Sequence, residues 1–160
     1  DSKPVTHWGS HIGCIVSAGI YDLEGKRQDV VRYGERLCIK ILFRPPETAK
    51  IQFLSAAFSI KDTKGTDLIV STTSDEKTFF SDIDKNSLIE VTFELTNYLV
   101  SGKYLLVAAL EDRSSSVIHY YEYIEGVQYF VSLSDERFLG LFHAEVKQYI
   151  KKMNTTEVTR

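Results

Sequence analysis

The densest chemistry in this chain is the run VIHYYEYI at positions 117–124, where His119, Tyr121 and Tyr123 alternate with Ile118, Tyr120 and Ile124. In an extended strand alternate side chains share a face, so the first set forms one row and the second the other. Tyrosine and histidine in a row suit a sugar, because a pyranose has an apolar face that stacks on a ring and an edge of hydroxyls that need donors and acceptors. From first to last the row spans roughly 13 to 14 Å, the length of two or three sugar rings. Trp8, the single tryptophan, or the loop at 73–87 is expected to close one side of this platform. The second set, Ile118, Tyr120 and Ile124, reads as core. A strand of high β propensity, or a contact between two copies of the chain, accounts for the same row without a ligand.

Other chemistry finds less support. His7 and His11 have the i, i+4 spacing of a helical metal pair, but the intervening WGS and the strand pattern that follows do not make a helix. His119 and His143 lie in strand-like runs without partners at ligand spacing, so no metal and no other cofactor is expected. In GSHIG, at 9–13, the serine stands one place too early for a nucleophile elbow. Glu90, Glu94 and Glu122 are candidates for the paired carboxylates of a glycosidase, yet glutamates alternating along strands read as a solvated face. No G-x-x-x-x-G-K-[ST] run is present, so no nucleotide hydrolysis is expected. If the tyrosine row is core or interface, Arg36, Lys40 and Arg44 offer a cationic face suited to an acidic or phosphorylated glycan terminus.

The elements that must position these residues are short strands. With 160 residues and 18.2 kDa, 43% hydrophobic and 26% charged, the chain is long enough for one substantial core and too apolar for disorder. A net charge of -3 argues against a nucleic-acid surface, and no run has the roughly 18 apolar residues of a membrane span. Cys14 and Cys38 each sit in an apolar run and read as reduced core residues. The organising stretch is 88–110: Ile89, Val91, Phe93 and Leu95 alternate with polar residues, TNYLVSG supplies a turn, and 103–110 is apolar on both faces. It reads as a hairpin whose second strand is central, with Phe93 in the core.

Around it, Ile12, Cys14, Val16, Ala18 and Ile20 mark a first strand that turns at 22–25, and Leu37, Ile39, Ile41 and Phe43 mark another that Pro45 and Pro46 end. Asp62 to Gly65 reverses a hairpin. The polar segment 73–87 is a long loop anchored by Phe79 and Phe80, and 125–126 turns the aromatic strand into a partner at 127–133. A final strand-like segment lies at 141–150. The expected domain pattern is a linker at 1–9, a sandwich at 10–150 and a polar tail at 151–160. The fold class that follows is all-β, an immunoglobulin-like antiparallel sandwich of about eight to nine strands with little helix.

Three pieces of this pattern also resemble a family. They are L-x-x-G-x-Y at Leu99, Gly102 and Tyr104 between two apolar strands, D-x-x-G at Asp22 and Gly25 after the first strand, and Ile60, Asp62, Gly65, Ile69, Ser71 and Thr72 around the hairpin. In that order they resemble the C-terminal carbohydrate-binding domain of Wzt, the ATP-binding subunit of O-antigen polysaccharide ABC transporters. The resemblance implies a non-catalytic module that recognises O-antigen polysaccharide near its non-reducing end. It also implies a homodimer, an upstream nucleotide-binding domain, a membrane exporter subunit as partner, and a cytoplasmic place peripheral to the inner membrane. The reading of the residues alone keeps a second possibility open, a structural or protein-interaction sandwich whose aromatic face is a dimer interface.

Overall fold

Alternating and doubly apolar runs separated by turn residues can bury their faces only by layering, and in the computed structural model they do so as two sheets. The structure describes residues 4–78, 80, 83–84, 86–144 and 146–153. Among these residues nine strands follow in order: β1 (Thr6–Trp8), β2 (Ile15–Tyr21), β3 (Val30–Arg32), β4 (Arg36–Phe43), β5 (Leu54–Asp62), β6 (Asp67–Thr72), β7 (Ile89–Thr96), β8 (Gly102–Asp112) and β9 (His119–Leu133). The larger sheet has the order β1-β9-β8-β5-β6, and the smaller β2-β4-β7. Every pairing is antiparallel except that of β3, which runs parallel to the far end of β9. Among the described residues the only helical element is one 3-10 turn, Ile51–Phe53.

The core lies between the sheets. Ala56, Phe58 and Ile60 of β5 and Leu106, Ala108 and Leu110 of β8 meet Ile20, Ile39, Ile41 and Phe43 of the smaller sheet. As its two apolar faces require, β8 is central, flanked by β5 and β9. The hairpin expected around it does not form. β7 pairs with β4 across its whole length, so the segment after Thr96 crosses from one sheet to the other. Asn97 holds that corner: its N–H donates to Glu35 O, its Oδ1 accepts from Leu99 N–H, and its Nδ2 donates to Ser132 Oγ. Phe93 faces the core edge-on to Phe58, yet stays half-buried because β7 is an edge strand.

Both D-x-x-G turns work alike. Asp22 Oδ1 accepts from the N–H groups of Glu24 and Lys26, Asp62 Oδ1 from those of Lys64 and Thr66, and Gly25 and Gly65 take the positive φ that the reversal needs. Gly126 also has a positive φ, but it bends the chain without reversing it. It lies in a bulge, so the expected turn at 125–126 is absent and β9 runs straight through.

Three further expectations are revised. Thr6–Trp8, placed in the entering linker, is an edge strand on β9. The first strand keeps its phase at Ala18 and Ile20, but a bulge between Ile15 and Ser17 buries Ile15 and exposes Val16. The segment 141–150 is in no strand among the described residues; Leu141, Val146, Tyr149 and Ile150 are exposed, and a single bridge joins Leu99 to Phe142. Of the two loop anchors, Phe80 packs edge-on against Phe43, while Phe79 lies outside the described residues. Cys14 and Cys38 are free thiols, the first half-buried and the second buried. Burial and the neighbouring Glu122 push the Cys14 thiol up to about 12.

Candidate functional site

On β9 a strict alternation would face His119, Tyr121 and Tyr123 together, but the strand carries one extra residue at this point. Leu110 pairs with Glu122 and Glu111 with Tyr120, which leaves Tyr121 unpaired in a bulge and shifts the phase. Tyr121 therefore turns inward, 4% exposed, and donates its hydroxyl to Asp112 Oδ2 at 3.2 Å. Burial, reinforced by Asp112, pushes its phenol up to about 12. His119 stays exposed, edge-on to Tyr121 and 2.8 Å from Ser10 Oγ. Tyr121 is therefore closed to a ligand, while the exposed His119 is tied to Ser10 and stands apart from the open rings. Tyr120, assigned to the core by alternation, comes out in their place.

What assembles on the outer face is Trp8, Tyr120 and Tyr123. Trp8 stacks on Tyr123 at 5.2 Å and 25° and meets Tyr120 edge-on at 5.1 Å. Strand register extends this cluster into a trough. Trp8, Tyr123, Ala109, Ala57 and Thr72 pair in turn across all five strands, a row of roughly 19 Å at strand spacing. A parallel row runs Thr6, Glu125, Val107, Ser59 and Val70. Small side chains make the floor, the rings make one wall, and β6 makes the other. The hollow has a volume of about 220 Å³.

Ion pairs frame it. Arg113 donates to both Glu111 oxygens, the shortest contact being 3.0 Å, and Lys61 lies 3.4 Å from Glu125. Burial raises the Glu111 carboxyl despite Arg113. For Lys61, burial works against the charge, but Tyr123, Glu125 and Asp67 outweigh it and the pKa is raised.

Beneath the platform, polar side chains of β9 fasten the two sheets. Glu122, 1% exposed, accepts from Ile15 N–H at 2.7 Å, Gly13 N–H at 2.9 Å and His7 Nε2 at 2.5 Å. Gln128 Oε1 accepts from Ile20 N–H, and its amide donates to Gln28 O and Asp29 Oδ1. These contacts cover the free edge of β2. Gly9 is fixed between Trp8 and this network: its φ is +142°, and a Cβ there would sit 2.3 Å from Tyr121 O.

Two larger hollows are less suited to sugar. One of about 460 Å³ contains Tyr33, Phe138 and His143, whose rings are covered by one another, with Phe138 on His143 at 3.8 Å. The other, about 400 Å³, opens on the seam between β6 and β7 against core residues Phe58 and Phe93. Two of the three cations of the alternative face are paired on β7, Arg36 2.6 Å from Glu94 and Lys40 3.5 Å from Glu90, while Arg44 is exposed just beyond β4. Among the described residues no three His, Cys, Asp or Glu side chains gather as a metal site, and His7 and His11 join different partners. No helix among them is long and apolar enough to cross a membrane.

No curated protein matches the chain. A crystal structure of the C-terminal domain of wzt superposes with a TM-score of 0.72 at 14% identity, covering 90% of this chain and 88% of that one. That likeness fixes the all-β sandwich. The sequence model of the Wzt C-terminal domain, a non-catalytic module, matches residues 4–144, which span every strand from β1 to β9, and the chain belongs to that family.

Proposed function

We propose that this domain binds O-antigen polysaccharide for export by an ABC transporter, and that the glycan lies in the outer-face trough against Trp8, Tyr120 and Tyr123. The observation that carries this reading is the ring cluster itself. Trp8, 46% exposed, stacks on Tyr123, which together with Tyr120 lines a hollow whose floor is small enough to admit a pyranose. Family membership supports carbohydrate as the ligand and an exporter as the setting, with a nucleotide-binding domain and a membrane subunit as partners at the cytoplasmic face. A trough seating few rings suits a chain end, in keeping with recognition near the non-reducing terminus.

The test is affinity electrophoresis in gels containing O-antigen polysaccharide. Tyr123→Ala and Tyr120→Ala should abolish retardation while leaving the far-UV spectrum unchanged, and Tyr121→Phe should bind like wild type. Loss of dimer instead of loss of retardation in the first two variants would favour the rings as a protein interface. A homodimer is part of the proposal: the segment 141–150, with Tyr149 88% and Ile150 101% exposed, leaves apolar side chains that a second copy can cover. Light scattering that gives a monomer at high concentration would remove it.

A further inference from the structure

Resting on the glycan reading of the outer face, we infer that the trough selects a neutral sugar carrying a methyl group, a 6-deoxyhexose in chemical class, and rejects acidic or phosphorylated termini. The charges point this way. Of the residues lining the trough, Asp67, Asp75 and Glu111 are carboxylates and Arg113 is the one cation. Arg113 is committed to Glu111 through Nε at 3.2 Å and Nη2 at 3.0 Å, and its Nη1 lies 3.9 Å from Asp75. An anionic ligand would have to draw this guanidinium away and leave Glu111, which is 2% exposed, as a buried charge with only the Ser55 hydroxyl beside it. Lys61, beside the trough, is likewise held by Glu125. Among the described residues no cation is left to greet a carboxylate or phosphate within the trough.

The floor supplies the other half. Val107, Ala109 and Ala57 are 2%, 3% and 7% exposed and offer no hydrogen-bonding side chain, so a hydroxymethyl set down on these three, away from the Ser59 and Thr72 hydroxyls that also line the trough, would lose its water without compensation. A methyl in the same place gains contact. Val70 and Ile118 extend the apolar rim on the two sides of that floor.

The experiment is an NMR titration of the isolated chain with methyl α-L-rhamnoside, methyl α-L-fucoside, methyl α-D-mannoside and methyl α-D-glucuronide, following the Trp8 indole and the Ala57 and Ala109 methyl signals. One of the two deoxyhexosides should bind at least about fourfold more tightly than the mannoside, the ratio that burial of one methyl supplies. The glucuronide should not bind. Glu111→Gln, which frees Arg113, should gain glucuronide binding; Ala109→Ser should erase the preference for the deoxyhexoside. Binding of the glucuronide by the wild-type chain, or equal binding of mannoside and both deoxyhexosides, overturns the selectivity and leaves the glycan site standing. Movement of none of these signals by any glycoside overturns both.

Discussion

Replacing Glu122 should damage this domain more than replacing any ring of the platform above it. Its carboxylate is 1% exposed and takes three donors, from Ile15 N–H, Gly13 N–H and His7 Nε2, so it joins β9 to the free edge of β2 and to β1. Glu122→Ala leaves two backbone N–H groups without an acceptor at about 1 to 3 kcal/mol each, offset in part because a charge no longer has to be buried. The expected loss is about 3 to 5 kcal/mol, a large share of a typical domain's stability. Glu122→Gln keeps the volume and one acceptor oxygen but turns a donor toward a donor, and should cost about half as much. His7→Ala removes the most exposed partner and should cost under about 1 kcal/mol. Urea denaturation followed by circular dichroism and by Trp8 fluorescence gives all three values, provided the slope is unchanged. If Glu122→Ala costs less than about 1 kcal/mol, the polar fastening between the sheets does not stabilise the fold as described.

Tyr121 gives a pH prediction. Its folded pKa is raised from 10.0 to about 12, so the stability it contributes is fully present below pH 10 and is lost as pH rises toward 12. Tyr121→Phe should flatten that alkaline decline, and a decline identical to wild type would show that the ring is not buried. Gly9→Ala should detach β1, because the new Cβ meets Tyr121 O at 2.3 Å and φ stays at +142°. A red-shifted Trp8 emission with a preserved core spectrum is expected; an unshifted emission would mean the strand adapts.

Much of the fold could be read from local pattern, because sheet packing imposes it locally. The central place of β8 follows from its two apolar faces, and the β5–β6 hairpin from Asp62 and Gly65, whose turn chemistry is self-contained. The errors on the aromatic strand share one cause. Alternation assumes an unbroken strand, and β9 breaks it at Tyr121 and again around Gly126, where Val107 pairs with Glu125 but Leu106 with Gln128. The first bulge exchanged Tyr120 for Tyr121; the second was mistaken for a turn. A bulge exists only relative to the partner strand, so nothing in HYYEY by itself distinguishes the ring that faces out. Trp8 is singled out by its residue type, while the strand that sets it beside Tyr123, only three residues long, falls below what periodicity can detect. The hairpin at 88–110 failed because β7 finds its partner in β4, far away in sequence.

The central claim, that the Trp8, Tyr120 and Tyr123 face is where the glycan sits, is tested most directly by the fluorescence of Trp8, the one tryptophan in the chain. On titration with O-antigen polysaccharide the account predicts a saturable blue shift and protection from acrylamide quenching, both lost in Tyr123→Ala. Polysaccharide binding seen by calorimetry with Trp8 emission and quenching unchanged would contradict it.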